Sequence, residues 1–401
     1  QRAVLREYCA NDLALTEQLY RHLLPQIELR ARMTREYGID LRSKSDAQIA
    51  EAVIKQEVEL LVRTRLRRAE LSPNTPLLYR PPTWIDFATR PLREIFDRVR
   101  EASYRIDQGG SPTMPDDMPE ATLTFGSSIY RLGIGGLHSS ETRAMHVADE
   151  RHILVDRDVA SYYPSIILGG GLAPAHMGAH FLTVYRGLVE RRLMAKRAGD
   201  KVTAEALKIC VNGSFGKLGS KWSVLYAPAL FLQVTLTGQL ALLMLIERLE
   251  VHGIPVVSAN TDGVVIKCPV DQIAEMDAIV EWWEQVTGFE TEATGYAAIY
   301  SRDVNNYIAL KADGSVKTKG AYASTSLAKS PANEICTEAV VTFLQAGTPV
   351  EQTIRACQDI RKFITLRQVK GGAVWKGQYL GRVVRWYYAR GETDTIHYTT
   401  N

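Results

Sequence analysis

The chain has 401 residues, 46% hydrophobic and 23% charged. That is ordinary globular usage, which excludes disordered, collagenous and coiled-coil classes and allows two to four domains at about 100–200 residues each. Lys and Arg outnumber Asp and Glu by 48 to 45, an excess too small to select or exclude nucleic acid as a partner. Five widely spaced cysteines, Cys9, Cys210, Cys268, Cys336 and Cys357, form no CxxC pair, which argues against a zinc site or disulfide framework and fits a reducing compartment.

No secretory signal opens the chain, because residues 1–11 carry charges and no apolar segment. A first residue other than Met and the abrupt stop at Asn401 are read as a piece of a longer protein. Residues 11–68 show helical periodicity, with the basic cluster 63–68 read as a solvated helix face. Four prolines (Pro73, Pro76, Pro81, Pro82) then break regular structure. The run Gly109-Gly-Ser-Pro112, continuing through Pro115 and Pro119, is the best linker candidate. Beyond it, residues 122–125 and 128–132 read as strands about a Gly-Ser turn, followed by the glycine-rich run 133–136. A short apolar strand at 152–155 leads to Asp156 and Asp158. Residues 181–217 read as helical and basic, with eight Lys/Arg against three Asp/Glu from Arg186 to Lys217. Charge is therefore concentrated there.

Residues 230–250 read as a buried helix. Its apolar run 241–246 is too short to cross a bilayer, and Gln, Thr, Glu and Arg flank it. Two apolar strands at 254–258 and 264–267 flank Asn260-Thr-Asp-Gly263, a hairpin pattern. Helix is expected over 270–286 and strands over 300–311 and 316–323. The last 70 residues read as mainly helical, up to the aromatic and basic stretch 379–388. There is no internal repeat.

Asp158 at a strand end and Asp262 at a hairpin tip could together hold Mg²⁺, which takes hard oxygen ligands and leaves positions for phosphate and water. Asp-Gly is equally a favoured turn, and a strand-end Asp is commonly a cap or a solvated loop residue. Arg192 and Lys196 share one helix face, and Lys208 and Asn212 another, as a triphosphate clamp or as a solvated amphipathic surface. Gly213 and Gly216 cost a helix about 1 kcal/mol each, so a close neighbour, backbone or base, is expected beside them. Tyr162, Tyr163 and Phe215 could stack on a base or sugar, or belong to the core. The histidines show no HExxH pattern, and residues 133–136 are not a P-loop.

These segments together resemble the family B DNA polymerases. Asp158-Val-Ala-Ser-Tyr-Tyr-Pro-Ser-Ile-Ile167 is similar to motif A, DxxSLYPSII. Lys208-Ile-Cys-Val-Asn-Gly-Ser-Phe-Gly216 is similar to motif B, KxxxNSxYG, and Ser258-Ala-Asn-Thr-Asp-Gly263 to motif C, YxDTDS. The segment 188–196 resembles the fingers helix, and 307–320 the strand pair ending in KxKG. Tyr8 and Asp12 resemble the third exonuclease motif, YxxxD. Residues 130–138 resemble, more loosely, a Tyr-Gly-Gly element of phage and plasmid members.

The resemblance implies an α+β right-hand architecture. It would comprise an exonuclease tail (1–28), a helical connector (29–120), an antiparallel palm in two parts (121–180, 221–325), a helical fingers hairpin (181–220) and a truncated, mainly helical thumb (326–401). Asp158 and Asp262 would be catalytic and hold two Mg²⁺ with the Val159 carbonyl. Ser161, Tyr162, Tyr163, Arg192, Lys196, Lys208 and Asn212 would bind the dNTP, with Tyr163 excluding a 2′-hydroxyl. Tyr130, Phe215, Gly216 and Lys319 would meet primer–template DNA. Asp156 fits no role and reads as structural. Partners would be DNA and dNTPs, with no membrane, in a monomer in the cytoplasm of a bacterial host if the origin is a phage or plasmid. The alternative is a decayed DNA-binding remnant, because motif C begins with Asn260 where the family has Asp. Gly263 and Gly213 each replace a Ser, and Asn305 and Asn306 stand where basic residues usually precede Tyr307. With one exonuclease motif present, these residues should not proofread, although the longer parent would. The spacings 158–192 and 212–262 leave no room for the insertions of protein-primed relatives.

Overall fold

The computed structural model describes residues 2–118, 121–323, 330–388, 390–391 and 394–399. Pro119 of the expected linker and the expected palm–thumb boundary at 325–326 lie outside them. Two helices open the chain, α1 (Arg2–Tyr37) and α2 (Asp46–Val62). A capping box starts α2: the Ser45 hydroxyl accepts from the Gln48 N–H, and the Gln48 side chain accepts from the Ser45 N–H at 2.9 Å. That helix stops at Val62, with Arg63 left-handed at φ 54°. The basic cluster 63–68 therefore lies in the chain beyond the helix rather than on its face, with the Arg68 guanidinium 5.5 Å from the Trp222 ring.

A small sheet follows, β1 (Pro76–Leu77), β2 (Tyr104–Ile106) and β3 (Pro112–Thr113), with α3 (Arg90–Glu101) between β1 and β2. The expected linker is instead the packed turn between β2 and β3, where the Tyr226 hydroxyl donates to the Gly110 carbonyl at 2.6 Å. Leu92, Ile95, Phe96 and Val99 recur at helical spacing in α3 behind Pro91, a pattern the sequence reading passed over. The start of α3 is held from afar: buried Glu247 accepts from the Ala88 and Thr89 N–H groups at 3.0 and 2.7 Å, a carboxylate at the positive end of a helix dipole.

The centre is a ten-stranded antiparallel sheet. Its strands are β4 (Ala121–Phe125), β5 (Ser128–Leu132), β6 (His138–Ser139), β7 (Thr142–Val147), β8 (His152–Val159), β9 (Val256–Asn260), β10 (Gly263–Pro269), β11 (Thr291–Asp303), β12 (Asn306–Lys311) and β13 (Val316–Thr318). They run in the order β13-β12-β11-β8-β10-β9-β6-β5-β4, with β7 also on β11. Between β8 and β9 lie α4 (Tyr162–Gly169), α5 (Gly178–Arg197), α6 (Lys201–Leu218) and α7 (Pro228–Val251); α8 (Ile273–Thr287) follows β10. By length and composition α7 could cross a membrane, yet 83% of its most apolar window is buried inside the protein. It is the core helix on which the sheet rests. The Trp283 indole of α8 donates to the Ala241 carbonyl of α7 at 2.7 Å.

Gly213 faces α2 rather than a ligand. A Cβ there would stand 3.0 Å from the Asp46 carbonyl and 3.2 Å from Ala47 Cα, so α6 can approach α2 this closely only without a side chain. Gly216, one turn on, faces open space.

The C-terminal region departs from the sequence expectation. Among the described residues there, α-helix is limited to α9 (Glu334–Ala346) and α10 (Val350–Ala356), a 3-10 turn covers Ile360–Phe363, and the chain then forms a long hairpin, β14 (Thr365–Trp375) and β15 (Gln378–Trp386), with β16 (His397–Tyr398) on its edge. The mainly helical thumb is thus corrected to two helices and a β-hairpin. Val, Trp and Tyr are strand formers, and Lys376-Gly377, with φ of 49° and 76°, makes the tight turn that a right-handed twisted hairpin favours.

Candidate active site

Register brings the two candidate carboxylates together. In the β8–β10 pair Asp158 stands opposite Gly263, the residue after Asp262. The Val159 N–H donates to the Asp262 carbonyl at 2.7 Å. A Cβ on Gly263 would lie 3.1 Å from the Asp158 carboxylate, so a serine here would crowd Asp158. The turn is tight, with Thr261 at φ 64°, and Ser161, just past Asp158, sits at φ 52°. Two non-glycine residues in the left-handed region flank the carboxylates, the kind of local strain that clusters at functional sites.

The glycine-rich run buttresses this turn. The Thr261 N–H donates to the Leu137 carbonyl at 2.8 Å, and a Cβ on Gly136 would fall 2.7 Å from Thr261 Cα. The run is itself pinned from the core. Buried Gln239 of α7 accepts from the Gly133 N–H at 2.9 Å and donates to the Gly133 and Gly135 carbonyls at 2.8 Å each.

Both carboxylates are exposed, yet neither has an ordinary environment. Desolvation by the surrounding protein, then the negative charges of Asp262, Asp156 and Glu292, push Asp158 up to about 6. Desolvation also raises Asp262, against the ammonium groups of Lys319 and Lys317. Asp156, on the same face of β8, is buried and accepts from the Tyr296 hydroxyl and from Lys317 Nζ at 3.1 Å. Its partner Lys317, the first lysine of the Lys317-Thr-Lys-Gly320 pattern, was not singled out in the sequence as a neighbour of the carboxylates. Nor was Glu292, an acid opposite Asp158 on β11. Their position beside the carboxylates could not be found by spacing, since non-local strand pairing brings both into place; of the two, Lys317 alone belonged to a motif.

Among the described residues no group of three or more His, Cys, Asp or Glu is arranged to hold a metal ion. Two carboxylates with open flanks nonetheless fit Mg²⁺, which usually binds through one or two protein carboxylates plus substrate phosphates and water. Burial that raises both carboxyl groups, with neighbouring negative charge adding to it at Asp158, is what a divalent cation would offset by favouring their ionised form.

On the nucleotide side, Arg192 of α5 reaches the strand end, donating to the Ser161 hydroxyl at 3.1 Å. Lys196 and Asn212 are exposed, and Lys208 pairs with Glu205 at 3.4 Å. Tyr163 stacks on Phe215 with ring centroids 4.0 Å apart, and Phe215 on Phe231 at 4.9 Å. Tyr162 is buried, its hydroxyl donating to the Gly238 carbonyl at 2.5 Å, so it can offer a ligand only its backbone. Lys319 lies 5.9 Å from the Tyr307 ring and acts on Asp262. Asn260 donates to the Val304 carbonyl at 2.9 Å.

Two expected contacts fall away from the centre. Tyr130 is fully buried, so its side chain is core and does not meet DNA. Tyr8 and Asp12 lie one turn apart on an exposed stretch of α1.

No protein-family model matches the chain. A segment of 121 residues is 26% identical to DNA polymerase 1 of Saccharolobus solfataricus, covering 30% of this chain and 14% of that protein. A segment of 148 residues is 26% identical to DNA polymerase 1 of Aeropyrum pernix, covering 34% and 15%. The fold is similar to the family B DNA polymerase of Pyrobaculum calidifontis, with TM-score 0.52 and 15% identity over 99% of this chain and 53% of that one. The chain thus spans well under two thirds of each of these relatives. The ordered motifs thus stand beside sequence similarity to two archaeal DNA polymerases and a fold similar to that of a family B DNA polymerase.

Proposed function

We propose that the chain carries the polymerising centre of a DNA polymerase, joining a deoxynucleotide to a primer 3′-hydroxyl opposite a template. The observation that carries this reading is the β8–β10 register, which sets Asp158 beside Asp262 at the exposed end of two paired strands. Asp158, Asp262 and the Val159 carbonyl would hold two Mg²⁺. When bound, the ions supply charge that eases ionisation of the attacking hydroxyl and stabilises departing pyrophosphate. The new bond joins the primer oxygen to the α-phosphorus, and the bond to the β-phosphate oxygen breaks. The protein's share is positioning and electrostatics. The start of α4 offers backbone N–H groups to phosphate. Arg192 is fixed there by Ser161, with Lys196, Lys208 and Asn212 along the adjoining helices. The Tyr163 ring, held by Phe215, would underlie the sugar and leave no room for a 2′-hydroxyl.

The test is primer extension with dNTPs and Mg²⁺, comparing the chain with Asp158→Ala and Asp262→Ala. Either substitution should lower the rate by at least about 10³-fold, the scale of losing a main electrostatic stabiliser. Extension that survives both removes this centre from the chemistry.

A further inference from the structure

The stretch 379–388 has no part in the chemistry above, and the structure turns it into one strand of an exposed hairpin. From 365 to 388 the sequence holds five Lys/Arg, no Asp or Glu, and five Trp/Tyr. The rings are not hidden. Tyr379 is 57% exposed, Tyr387 58% and Tyr388 85%. Cations lie over others: the Arg367 guanidinium is 5.4 Å from the Trp386 ring, and Lys376 Nζ 5.0 Å from the Trp375 ring. Arg367 also donates to the Tyr398 hydroxyl at 3.2 Å, joining β16 to the same surface. Trp375, Leu380, Val384, Trp386, Tyr388 and Tyr398 border a cleft of about 710 Å³.

We propose that this face of the hairpin is a binding site for unpaired DNA, an inference that rests on the reading of the chain as a DNA polymerase. Charge selects a polyanion: the stretch carries five cations and no acid of its own, and Asp394, which also borders the cleft, pairs with Lys376 at 3.0 Å, leaving the positive charge in excess. The rings then select the form of the strand. Aromatic side chains stack on bases whose π-faces are free, and a duplex already buries those faces in its own stack. The rings that border the cleft, Trp375, Trp386, Tyr387, Tyr388 and Tyr398, mark an interaction site, with Tyr379 on the other face of the strand. Basic residues interleaved with rings distinguish it from a purely apolar protein contact. The hairpin lies outside the central sheet and shares no strand with it, so the site is separate from the carboxylates.

The test is fluorescence anisotropy of the full chain with labelled oligo(dT) of about ten nucleotides, and with a blunt duplex of equal length, at one salt concentration. Tyr388→Ala removes a ring that packs little, and Trp386→Ala removes one bordering the cleft; Trp386→Phe restores a stacking face. Both Ala variants should weaken oligo(dT) binding by about tenfold, Trp386→Phe should recover most of it, and duplex affinity should change by less than about twofold. Thermal unfolding of Tyr388→Ala should superimpose on the parent. No oligo(dT) binding by the parent, unchanged affinity in both Ala variants, or equal losses on duplex would each overturn the site, the last leaving only a phosphate grip. Extension of a short primed template, run in parallel, is a separate readout. Its absence overturns the polymerase reading, whereas extension that is intact beside ring-insensitive oligo(dT) binding overturns the hairpin site alone.

Discussion

Two hairpins in this chain have nearly the same turn and opposite surroundings. In β9–β10 the residues Asn260 and Gly263 close on Thr261-Asp262; in β14–β15 Trp375 and Gln378 close on Lys376-Gly377. Each forces a non-glycine residue to positive φ, 64° at Thr261 and 49° at Lys376. The first is walled in by core strands whose residues are almost all buried, and the second is largely exposed. A turn embedded in packed strands fixes a carboxylate to the tolerance that chemistry needs. A turn at the tip of an exposed hairpin constrains little beyond its own strands, and leaves rings and cations free for a large, adaptable ligand.

The contrast is broken most severely at Gly136. A methyl group there would overlap Thr261, so Gly136→Ala must displace the turn that carries Asp262. Misplacement of about 1 Å can cost about 100-fold in rate. Single-turnover extension should fall by about that factor while DNA affinity holds. An unchanged rate would mean that the turn tolerates movement, and the contrast between the hairpins would collapse.

The pin behind that wall is Gln239. Gln239→Leu strands one N–H and two carbonyl groups of the glycine-rich run, and unsatisfied buried groups cost about 1–3 kcal/mol each where water does not replace the bond. Urea unfolding should show a loss of about 2–3 kcal/mol, allowing for water at the exposed side of the loop. A loss below the precision of the measurement would show that the run supports itself.

How far the two hairpins were legible follows from the same contrast. The central one announced itself: continuous apolar strands flank Asn260-Thr-Asp-Gly263, and burial of those strands enforces the pattern. Asp158, Asp262, Arg192 and Phe215 were found as members of contiguous motifs, and the structure brings Asp158 beside Asp262, and Arg192 to Ser161. The outer hairpin escaped because Gly371, Gly372 and Gly381 break its alternation and register shifts accompany them. Helix α3 was legible in Pro91 and the helical spacing of Leu92, Ile95, Phe96 and Val99, but its cap by Glu247, more than 150 positions away, was not. The first half of β11 was missed because Thr291-Glu-Ala-Thr-Gly295 has no apolar face of its own. Lys317 reaches Asp156 only because β11 and β12 fold between their strands. Local chemistry is written in the sequence, and non-local support is not.

Asp158 offers a gentler perturbation of the central hairpin. Its carboxyl is raised to about 6 from an ordinary 3.8, so the fold holds that proton more tightly than the open chain does. Its contribution to stability is therefore full below pH 3.8 and is lost as pH rises through 6. Asp158→Asn is neutral throughout. In chelator at pH 8 it should be more stable than the parent by about 1 kcal/mol, a figure discounted for the solvent exposure of the group. At pH 3 the two should match. An advantage independent of pH would assign the effect to packing rather than to crowded charge.

The smallest effect belongs to the outer turn and tests the comparison most finely. Lys376→Asn creates Asn-Gly, the sequence best suited to two residues at positive φ. The Lys376–Asp394 ion pair that it removes is more than half exposed on both sides and is worth little. The lost cation–ring contact with Trp375 is worth about 0.5 kcal/mol at an exposed site, so the net gain should be about 0.5 kcal/mol or less, within the range for relieving a strained turn residue. Amide exchange in β14 and β15 should slow by about twofold without moving the global midpoint. The matching change in the central turn, Thr261→Asn, should have the opposite sign. Thr261 is wedged against Gly136, and its hydroxyl reaches Asn260 at 3.2 Å and His138 at 3.4 Å. Relief of backbone strain there is outweighed by loss of the side chain that the surrounding strands were built around. If both substitutions stabilise, turn chemistry alone governs both hairpins and burial adds nothing to the rigidity of the central one.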